Sequence, residues 1–479
     1  MDRFAWAKYA FPLFLLLAVV IRWGTFFPSV LDHDETTYFL IGKGLLEGQT
    51  YLVDTIDTKP IGIFLIYAFF AWLGSGTLWV ARLGAALAVG LSGWLLYRLG
   101  RQQTRSTAVG WGAGISYVLL VSIFSRYGVS PNTELFFVPF TVGAFVLALR
   151  SNVGVLHFTG AGLLLGLAFV IKYVVAADAF ALGVYLLYLG WKNGHLSRTI
   201  FRQCLPMTVV FFLPLVATYG WYASHGLGET FWFYTFEVAG RYPTDTPWSE
   251  RWFFLGKFFG RFLPFTVFAV LAFRDRVDVR ASWPVFLLFW LVCTTIMTLV
   301  PGTLFGHYQI QMMVPLALLA GRWFHAARPS GRWKRPRLAF WRGLVLFVTL
   351  GLSIGLYLAN NRKPDVPRLV AAELQTRMQP GQQLYSGNCQ HVLYHLLAQA
   401  PPTPYVHSSL LFFPHHIENL GIDLDAETDR ILHQERVDFA LLCWDYPRNA
   451  LTDAIEREFV LVDTLQSGYY LWQRVTKTD

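Results

Sequence analysis

Long apolar segments alternate with short polar segments over the first three quarters of the chain. An α-helix needs about 20 apolar residues to cross the bilayer core, and eleven segments approach or reach that length. The predicted spans are Ala10–Trp23, Leu78–Tyr97, Ser106–Phe124, Asn132–Leu149, Leu156–Ile171, Val174–Trp191, Pro206–Trp221, Phe253–Phe273, Pro284–Val300, Tyr308–Trp323 and Phe340–Leu358. One further apolar run, Ile61–Leu73, falls short of a span, so we predict a juxtamembrane or re-entrant helix there.

The pattern changes after residue 360, where no apolar run of spanning length occurs and charged residues are frequent. Periodicities of helix and strand alternate in this segment. We predict helices at 366–378, 390–397, 425–434 and 448–458, strands at 383–386, 404–407 and 438–442, and a hairpin formed by 459–463 and 469–473. The predicted fold is an α-helical multi-span membrane domain over 1–360, followed by a small soluble α/β domain over 361–479.

Basic residues are concentrated in short blocks between the predicted spans. These blocks are Arg98–Arg105, Lys192–Arg202, Arg274–Arg280 and Arg322–Arg342. Loops rich in lysine and arginine stay on the cytoplasmic side, and Arg3 and Lys8 place the N-terminus there too. An odd number of spans then puts the first outer loop, residues 24–60, and the C-terminal domain on the extracytoplasmic side.

Composition supports this class of protein. The 479 residues are 54% hydrophobic and only 14% charged, which is too apolar for a soluble domain. The net charge of +9 resides in the inter-span blocks, so it does not indicate a nucleic-acid partner. The first apolar segment lacks a cleavage site of small residues and is followed by further spans, so we interpret it as an anchor. We predict an integral multi-pass protein of a bacterial inner (plasma) membrane.

The first outer loop contains the most unusual polar cluster of the chain, Asp32-His33-Asp34-Glu35, with Tyr38 three residues later and Lys59-Pro60 near its end. Carboxylates at a membrane surface are costly to desolvate unless the site uses them. Further polar residues are predicted on the same side: Glu134, Lys172, Arg241, His307 and Tyr308. Carboxylates and cations together can deprotonate a hydroxyl group and hold a phosphate leaving group.

Each of these residues has a structural alternative. Asp34 or Glu134 can cap a helix N-terminus. Lys59 and Lys172 can simply extend their ammonium groups to the membrane interface. His307 and Tyr308 can belong to the interfacial belt of aromatic residues.

The cysteines and the remaining histidines leave two questions open. Cys389 and Cys443 fall in the predicted outer domain, where a disulfide is permitted, but buried free thiols are the alternative. The pair His391 and His395, and the adjacent pair at 415–416, have spacings seen in metal sites. No cysteine accompanies them, which favours ordinary surface histidines.

The string DETTYFLIGKGLLEGQTYLVDTIDTKPIG resembles the first outer loop of the membrane-embedded C-type glycosyltransferases. It is similar in particular to that of the lipid A aminoarabinose transferases and the protein O-mannosyltransferases. Weaker similarities follow at Trp79–Leu83, at Gly166–Lys172 and from His307 to Gly321. The resemblance covers most of residues 1–360, while the C-terminal domain resembles the family's outer domain only in placement and α/β character.

The resemblance implies an inverting enzyme that moves a sugar from a polyprenyl-phosphate carrier to a lipid, glycan or protein acceptor outside the cytoplasm. By motif match Asp34 would be the catalytic base and Glu35 its support, or a ligand of the acceptor. Lys59 and Lys172 would hold the donor phosphate. The other matched residues would line the donor or acceptor pocket: Asp32, Tyr38, Glu134, Arg241, His307 and Tyr308.

The chain departs from the family pattern at Thr58, because the aminoarabinose transferases have an acid before Lys-Pro. No cofactor is therefore predicted with certainty, and a divalent metal stays open. A transporter or flippase of a lipid-linked sugar is the alternative function. Such a protein more often shows repeated halves and helices broken at mid-membrane, and neither is evident in this sequence.

Overall fold

The computed structural model describes residues 5–122, 128–151, 153–241, 246–273, 278–325, parts of 343–359, 363–407, 409–443, 446–466 and 468–475. The chain forms two compact units. We call the first the helical unit; it comprises Met1–Phe26, Trp79–Tyr222 and Pro243–Asn361. We call the second the mixed unit; it comprises Phe27–Leu78, Ala223–Tyr242 and Arg362–Asp479.

Helices dominate the chain up to residue 325. They are α1 (Ala10–Arg22), α2 (His33–Leu46), α3 (Ile61–Leu73), α4 (Leu78–Thr104), α5 (Thr107–Leu120), α6 (Thr133–Ala148), α7 (Val155–Phe169), α8 (Ala176–Lys192), α9 (Leu196–Thr199), α10 (Leu205–Ser224), α11 (Gly228–Trp232), α12 (Val238–Gly240), α13 (Trp248–Arg261), α14 (Leu263–Ala272), α15 (Trp283–Leu299) and α16 (Ile310–Arg322). A π-helical turn, Ile200–Cys204, joins α9 to α10.

Several of these helices suit a bilayer. Among the described residues, four helical stretches are long and apolar enough to cross it, namely Ala7–Phe26, Leu78–Thr104, Tyr173–Lys192 and Leu196–Ser224. The pair α13 and α14, bent by 83°, counts as a fifth if it forms one span. Shorter apolar helices cover other predicted spans and Ile61–Leu73. The segment predicted as the last span, 340–358, lies partly outside the described residues. The count of eleven spans stays a prediction.

Two buried polar groups connect separate segments within the helical unit. The Arg22 guanidinium at the end of α1 donates to the carbonyl oxygens of Gly128 at 2.5 Å and Val129 at 2.7 Å. The Asp178 carboxylate of α8 accepts from Trp290 Nε1 at 2.6 Å and from Gln311 Nε2 at 2.5 Å. Buried charged groups require such partners, so Asp178 is accounted for by its link to α15 and α16.

In the mixed unit, α2 packs closely against α3. A Cβ atom at Gly42 would lie 2.7 Å from the backbone nitrogen of Ala68 and 2.8 Å from the carbonyl carbon of Tyr67. Only glycine allows the two backbones to approach this closely. The contact fixes the helix that begins at the acidic cluster against the helix that follows Lys59-Pro60.

The C-terminal part of the mixed unit is an α/β domain, as predicted. It contains α17 (Val366–Arg377), β1 (Leu384–Gly387), α18 (Val392–Leu396), α19 (Pro414–Leu420), α20 (Leu424–Asp429), a π-helical turn (Arg430–Gln434), β2 (Phe439–Cys443), α21 (Ala450–Glu458), β3 (Phe459–Leu465) and β4 (Tyr469–Arg474). The strand order is β1-β2-β4-β3, with β1 parallel to β2 and the other pairs antiparallel. The β3–β4 hairpin is thus confirmed.

The sheet has an apolar core on each face. Successive residues of a strand point to opposite faces. In β2, Ala440 and Leu442 pack into one core with Ile431 and Ile455. Phe439 and Leu441 pack into the other core, with residues of α17 that include Leu374.

One strand prediction is wrong, since 404–407 does not join the sheet. It makes a single bridge with the first outer loop, in which the Ile56 N–H donates to the Pro404 carbonyl oxygen at 2.7 Å. Residues 402–404 read Pro-Thr-Pro, and proline lacks the N–H that a paired strand requires.

The sequence left open whether Cys389 and Cys443 form a disulfide. The structure contains this disulfide, with a Cα–Cα distance of 5.2 Å.

Candidate active site

The acidic cluster forms the N-terminus of α2, and its three carboxylates have different environments. Asp32 is the N-cap, and its Oδ1 accepts from the Glu35 N–H at 3.1 Å. The Glu35 side chain is fully buried and reaches back, so that Oε1 accepts from the Leu31 N–H at 2.5 Å. This reciprocal arrangement resembles a capping box. The capping alternative for Asp34 is therefore wrong, because Asp32 takes that position.

Asp34 and Lys59 form an ion pair. Lys59 Nζ lies 3.0 Å from Asp34 Oδ1 and 3.4 Å from Asp57 Oδ1. The Asp57 side chain is 2% exposed, against 16% for Asp34 and 20% for Lys59. One ammonium group is therefore shared by two carboxylates, and Asp34 and Lys59 stay partly open to their surroundings. Lys59 was also considered as a residue that only extends its ammonium group to the membrane interface. That alternative does not describe this side chain, because its ammonium group contacts two carboxylates.

Aromatic residues hold the lysine in place. Lys59 Nζ lies 5.6 Å from the ring centroid of Tyr38, within the range of a cation–π contact. Tyr38 is 1% exposed and meets the rings of Phe64 and Tyr67 edge-on. The hydroxyl of Tyr51 donates to the carbonyl oxygen of Lys59 at 2.5 Å. Both the backbone and the side chain of Lys59 are therefore held.

Three histidines stand beside Asp34. The rings of His33, His391 and His407 lie 5.4–6.1 Å apart between centroids. His407 Nε2 is 3.9 Å from Asp34 Oδ1. His391 Nε2 lies 2.8 Å from Thr37 Oγ1 and 2.9 Å from the carbonyl oxygen of His33. The α/β domain thus contributes two imidazoles to the first outer loop.

The surface interpretation of His391 is wrong, because this residue is 1% exposed. Its sequence neighbour His395 instead meets the Phe39 ring edge-on at 4.9 Å. Burial, reinforced by His407 and opposed by Asp34, lowers the pKa of His33 to about 4. Burial also lowers the pKa values of His391 and His407. At neutral pH these imidazoles are therefore neutral and add no positive charge beside Lys59.

A second ion pair lies in the helical unit. Lys172, at the turn after α7, pairs with Glu134 in the first turn of α6, and the two side chains are 11% and 1% exposed. Lys172 Nζ is also 3.9 Å from the ring centroid of Tyr308, and the His307 ring meets that of Tyr308 edge-on. A lysine that only extends its ammonium group to the membrane interface would have no buried acid as its partner. The contact with Glu134 therefore shows that Lys172 belongs to a buried ion pair.

Arg241 has local partners. Its guanidinium lies 3.3 Å from Glu237 Oε2 and 5.4 Å from the ring centroid of Phe233. The arginine side chain is 49% exposed. Both partners belong to the same short segment as Arg241. Within the described residues, no ion pair joins Arg241 to another candidate residue.

The structure therefore arranges the predicted residues in two groups. Asp32, Asp34, Glu35, Tyr38 and Lys59 form one group in the mixed unit. Glu134, Lys172, His307 and Tyr308 form the other in the helical unit. Sequence reasoning missed Asp57 as a partner of Lys59; it named His33 within the acidic cluster but gave it no role, and it did not place His407 in the site. In the sequence, the contact between Asp57 and Lys59 was indicated only by their short spacing, with Thr58 between them.

The described residues do not fit a resident metal ion. Asp57 Oδ2 is buried without a hydrogen-bond partner, which would suit a cation. Within the described part of the chain, however, no set of three or more His, Cys, Asp or Glu side chains has ligand geometry. We therefore derive no step through a metal.

Comparison with known proteins finds matches to a family model, to a relative in sequence and to solved structures. The family model described as dolichyl-phosphate-mannose-protein mannosyltransferase matches residues 58–221. The undecaprenyl phosphate-alpha-4-amino-4-deoxy-L-arabinose arabinosyl transferase 1 of Proteus mirabilis (strain HI4320) is 23% identical, over 74% of this chain and 66% of that protein. The chain thus spans just under two thirds of the length of that relative. The crystal structure of ArnT from Cupriavidus metallidurans bound to undecaprenyl phosphate has a TM-score of 0.69 and 14% identity, with 99% of each chain covered.

A more distant match shares the fold. The archaeal oligosaccharyltransferase AglB from Archaeoglobus fulgidus has a TM-score of 0.55 and 10% identity, over 100% of this chain and 75% of that one. The chain thus shares its fold with ArnT and AglB. The predicted resemblance is confirmed: this chain is similar to an aminoarabinose transferase and, over residues 58–221, to the family of dolichyl-phosphate-mannose-protein mannosyltransferases.

Proposed function

We propose that this chain is an inverting glycosyltransferase that moves a sugar from a polyprenyl phosphate to an acceptor on the extracytoplasmic side of a bacterial inner membrane. The observation that carries the proposal is the partly open Asp34–Lys59 ion pair at the capped N-terminus of α2. A base and a cation in contact are what transfer from a phosphate leaving group requires. The names of the relatives support a polyprenyl-phosphate donor.

In the proposed reaction Asp34 accepts the proton of an acceptor hydroxyl group. The acceptor oxygen forms a bond to the anomeric carbon of the sugar, and the bond from that carbon to the phosphate oxygen breaks. The electron pair leaves with the polyprenyl phosphate, and the configuration at the anomeric carbon inverts. The sugar phosphate is already activated, so the chain needs no nucleotide site of its own.

Lys59 stabilises the charge that develops on the leaving phosphate. It lies between two carboxylates, so its ammonium group is held beside the proposed base. A charged donor placed in advance is more effective than one recruited from water, because little reorganisation accompanies the reaction. The ring of Tyr38 helps to hold the Lys59 ammonium group in this position through its cation–π contact.

Lys172 is the second proposed phosphate ligand. Glu134 orients it, and Tyr308 offers its ring to the same ammonium. His307 and Tyr308 would then line the donor pocket. Glu35 and Asp32 hold the N-terminus of α2, so we propose that they position Asp34 rather than react. Arg241, exposed and locally paired, remains a candidate for contact with the acceptor.

Incubation of the purified protein with labelled polyprenyl-phosphate sugars and an envelope extract tests this function. A transferase releases polyprenyl phosphate and labels a lipid, a glycan or a protein. A flippase of the same lipid leaves the donor intact, and that result would replace the proposal by the alternative. Mass spectrometry of envelope lipids and glycans from a strain lacking this chain then identifies the sugar and the acceptor.

A further inference from the structure

A cavity of about 230 Å³ opens in the helical unit, and none of the candidate catalytic residues is among its lining residues. Its polar lining includes Arg150, Arg198, Arg280, His195 and Gln203. Its apolar walls include Leu149, Val153, Leu186 and Leu189. A water molecule needs only about 10–15 Å³ of accessible space, so this cavity has room for a polyatomic ligand.

The cavity is a built feature of the fold. Gly190 of α8 lies so close to Thr199 that a Cβ atom there would be 2.7 Å from the threonine Cβ, and both residues line the cavity. Gln103 of α4 joins two other parts of the wall. Its Nε2 donates to the Leu149 carbonyl oxygen at 3.2 Å, and its Oε1 accepts from Arg280 at 3.4 Å.

The charges of the cavity favour an anion. Three arginines from three separate segments meet there, and no acidic residue is among the lining residues. Within the described residues, no ion pair involves Arg150 or Arg198. The guanidinium fork matches the oxygens of a phosphate group, which it can bind in a bidentate manner.

The position of the cavity separates it from the Glu134–Lys172 pair. Glu134 lies in the first turn of α6, whereas Leu149 and Arg150 directly follow that helix. The 16 residues of α6 rise by about 24 Å at roughly 1.5 Å per residue, close to the thickness of a bilayer core. In the proposed orientation the cavity therefore opens at the cytoplasmic leaflet, where anionic lipids interact with basic residues.

We propose that this cavity binds the phosphate-bearing headgroup of an anionic membrane lipid. The arginines hold the phosphate, and the apolar walls contact the glycerol and the first methylene groups of the chains. The apolar walls favour a lipid over a free phosphate ion. The bland alternative is that these arginines only fix the orientation of the chain in the membrane.

The test measures lipid binding directly and needs no transfer activity. The purified full-length protein, in a neutral detergent, is titrated with cardiolipin, phosphatidylglycerol, phosphatidylcholine or inorganic phosphate, and native mass spectrometry counts the bound molecules. We expect at least tenfold tighter binding of an anionic lipid than of phosphatidylcholine. Displacement of the lipid by millimolar phosphate would show that the ligand is the free ion and would overturn the lipid assignment.

The double variant Arg150→Gln/Arg198→Gln should weaken lipid binding about tenfold to a hundredfold, since hydrogen bonds to charged groups dominate such sites. The matched control is Arg101→Gln/Arg105→Gln, which removes the same charge from exposed positions in a neighbouring basic block outside the cavity. Equal losses in both variants would overturn the proposal in favour of diffuse attraction. If the first variant does not fold, Arg198→Lys keeps the charge but loses the fork, and unchanged binding there would overturn the proposal too.

Discussion

At the scale of single residues, the proposed chemistry depends on one ammonium group shared by two carboxylates. Lys59 compensates the charges of Asp34 and Asp57, which otherwise repel each other at the start of α2. Asp57 is buried and its Oδ1 also accepts from the Thr58 and Lys59 N–H groups, so it is tied to the loop. The Asp34 side chain contacts the same ammonium group and is 16% exposed, which suits it to act as the base.

Replacement of Lys59 by glutamine should lower transfer about tenfold to a hundredfold. A hydrogen bond to a charged group contributes about 1.5–3 kcal/mol, and the leaving phosphate would lose one. Lys59→Arg should restore only part of the activity, because the planar fork differs from the ammonium in shape and reach. Binding of a non-transferable polyprenyl-phosphate analogue should weaken in parallel in Lys59→Gln.

Lys43→Gln is the matched control for this experiment. Lys43 lies on α2, the helix that contains Asp34; its side chain is 45% exposed, and it pairs with Glu47 at 3.5 Å. Its replacement should leave turnover within about twofold of wild type, as expected for an exposed pair. Normal donor affinity in Lys59→Gln would mean that this lysine has a structural role only.

Asp34 and Lys59 could be predicted as neighbours, whereas the histidines around Asp34 could not. Asp34 and Lys59 share one loop and one family motif, so their common site was predictable. His391 and His407 are more than 350 residues from His33, and their approach depends on how the α/β domain packs on the loop. Nothing in the local sequence of a histidine encodes such a neighbour.

At the scale of elements, the first outer loop and the α/β domain are linked at several points. Ile56 bridges Tyr405, and Ser29 hydrogen-bonds Asp365 through both its N–H and its hydroxyl group. His391 reaches the first turn of α2, and it lies two residues after Cys389. The disulfide thus fixes the segment that presents this histidine to the helix of the proposed base.

The double variant Cys389→Ala/Cys443→Ala should lose about 2–4 kcal/mol of domain stability, because the bond closes a loop of 54 residues in the unfolded chain. Pulse proteolysis in urea, followed at residues 363–475, measures this loss. The matched control Cys204→Ala/Cys293→Ala removes two free thiols of the helical unit and should leave the transition in place. An unchanged transition in the first variant would contradict the role given to the disulfide.

Most elements were predictable because each has a strong local pattern. The hairpin β3–β4 and the helices α17 and α21 follow from periodicity and, for α21, from the Asn449–Thr452 capping box. The segment 404–407 shows the limit, because its short apolar run pairs with a loop instead of a sheet. Tertiary context overrides propensity in segments this short.

In the molecule as a whole, the proposed transfer to an extracytoplasmic acceptor depends on which side of the membrane the first outer loop and the α/β domain occupy. The basic blocks and an odd span count predict the outer side for both. Cysteines engineered at exposed positions of the domain, such as Gln375 or Asp425, should react with an impermeant maleimide in intact spheroplasts. A cysteine at Arg101 is the matched control and should be protected until the cells are opened.

Protection of the domain cysteines would mean that one span was miscounted. The sequence shows clearly how long each apolar segment is, but it does not show whether a short helix crosses the membrane. Ile61–Leu73 has 13 residues, and α13 with α14 is sharply bent. Whether such segments cross depends on their packing, on tilt and on local bilayer thickness, which the sequence does not encode.

The most direct test of the central claim compares wild type with Asp34→Asn in release of polyprenyl phosphate from a labelled donor. Asparagine keeps the size of the side chain but cannot accept the proton, so we expect a loss of about a hundredfold to ten-thousandfold, with folding and donor-analogue binding retained. Asp54→Asn, an exposed acid of the same loop, should retain turnover. Release by Asp34→Asn at a rate near that of wild type would contradict the assignment of Asp34 as the base.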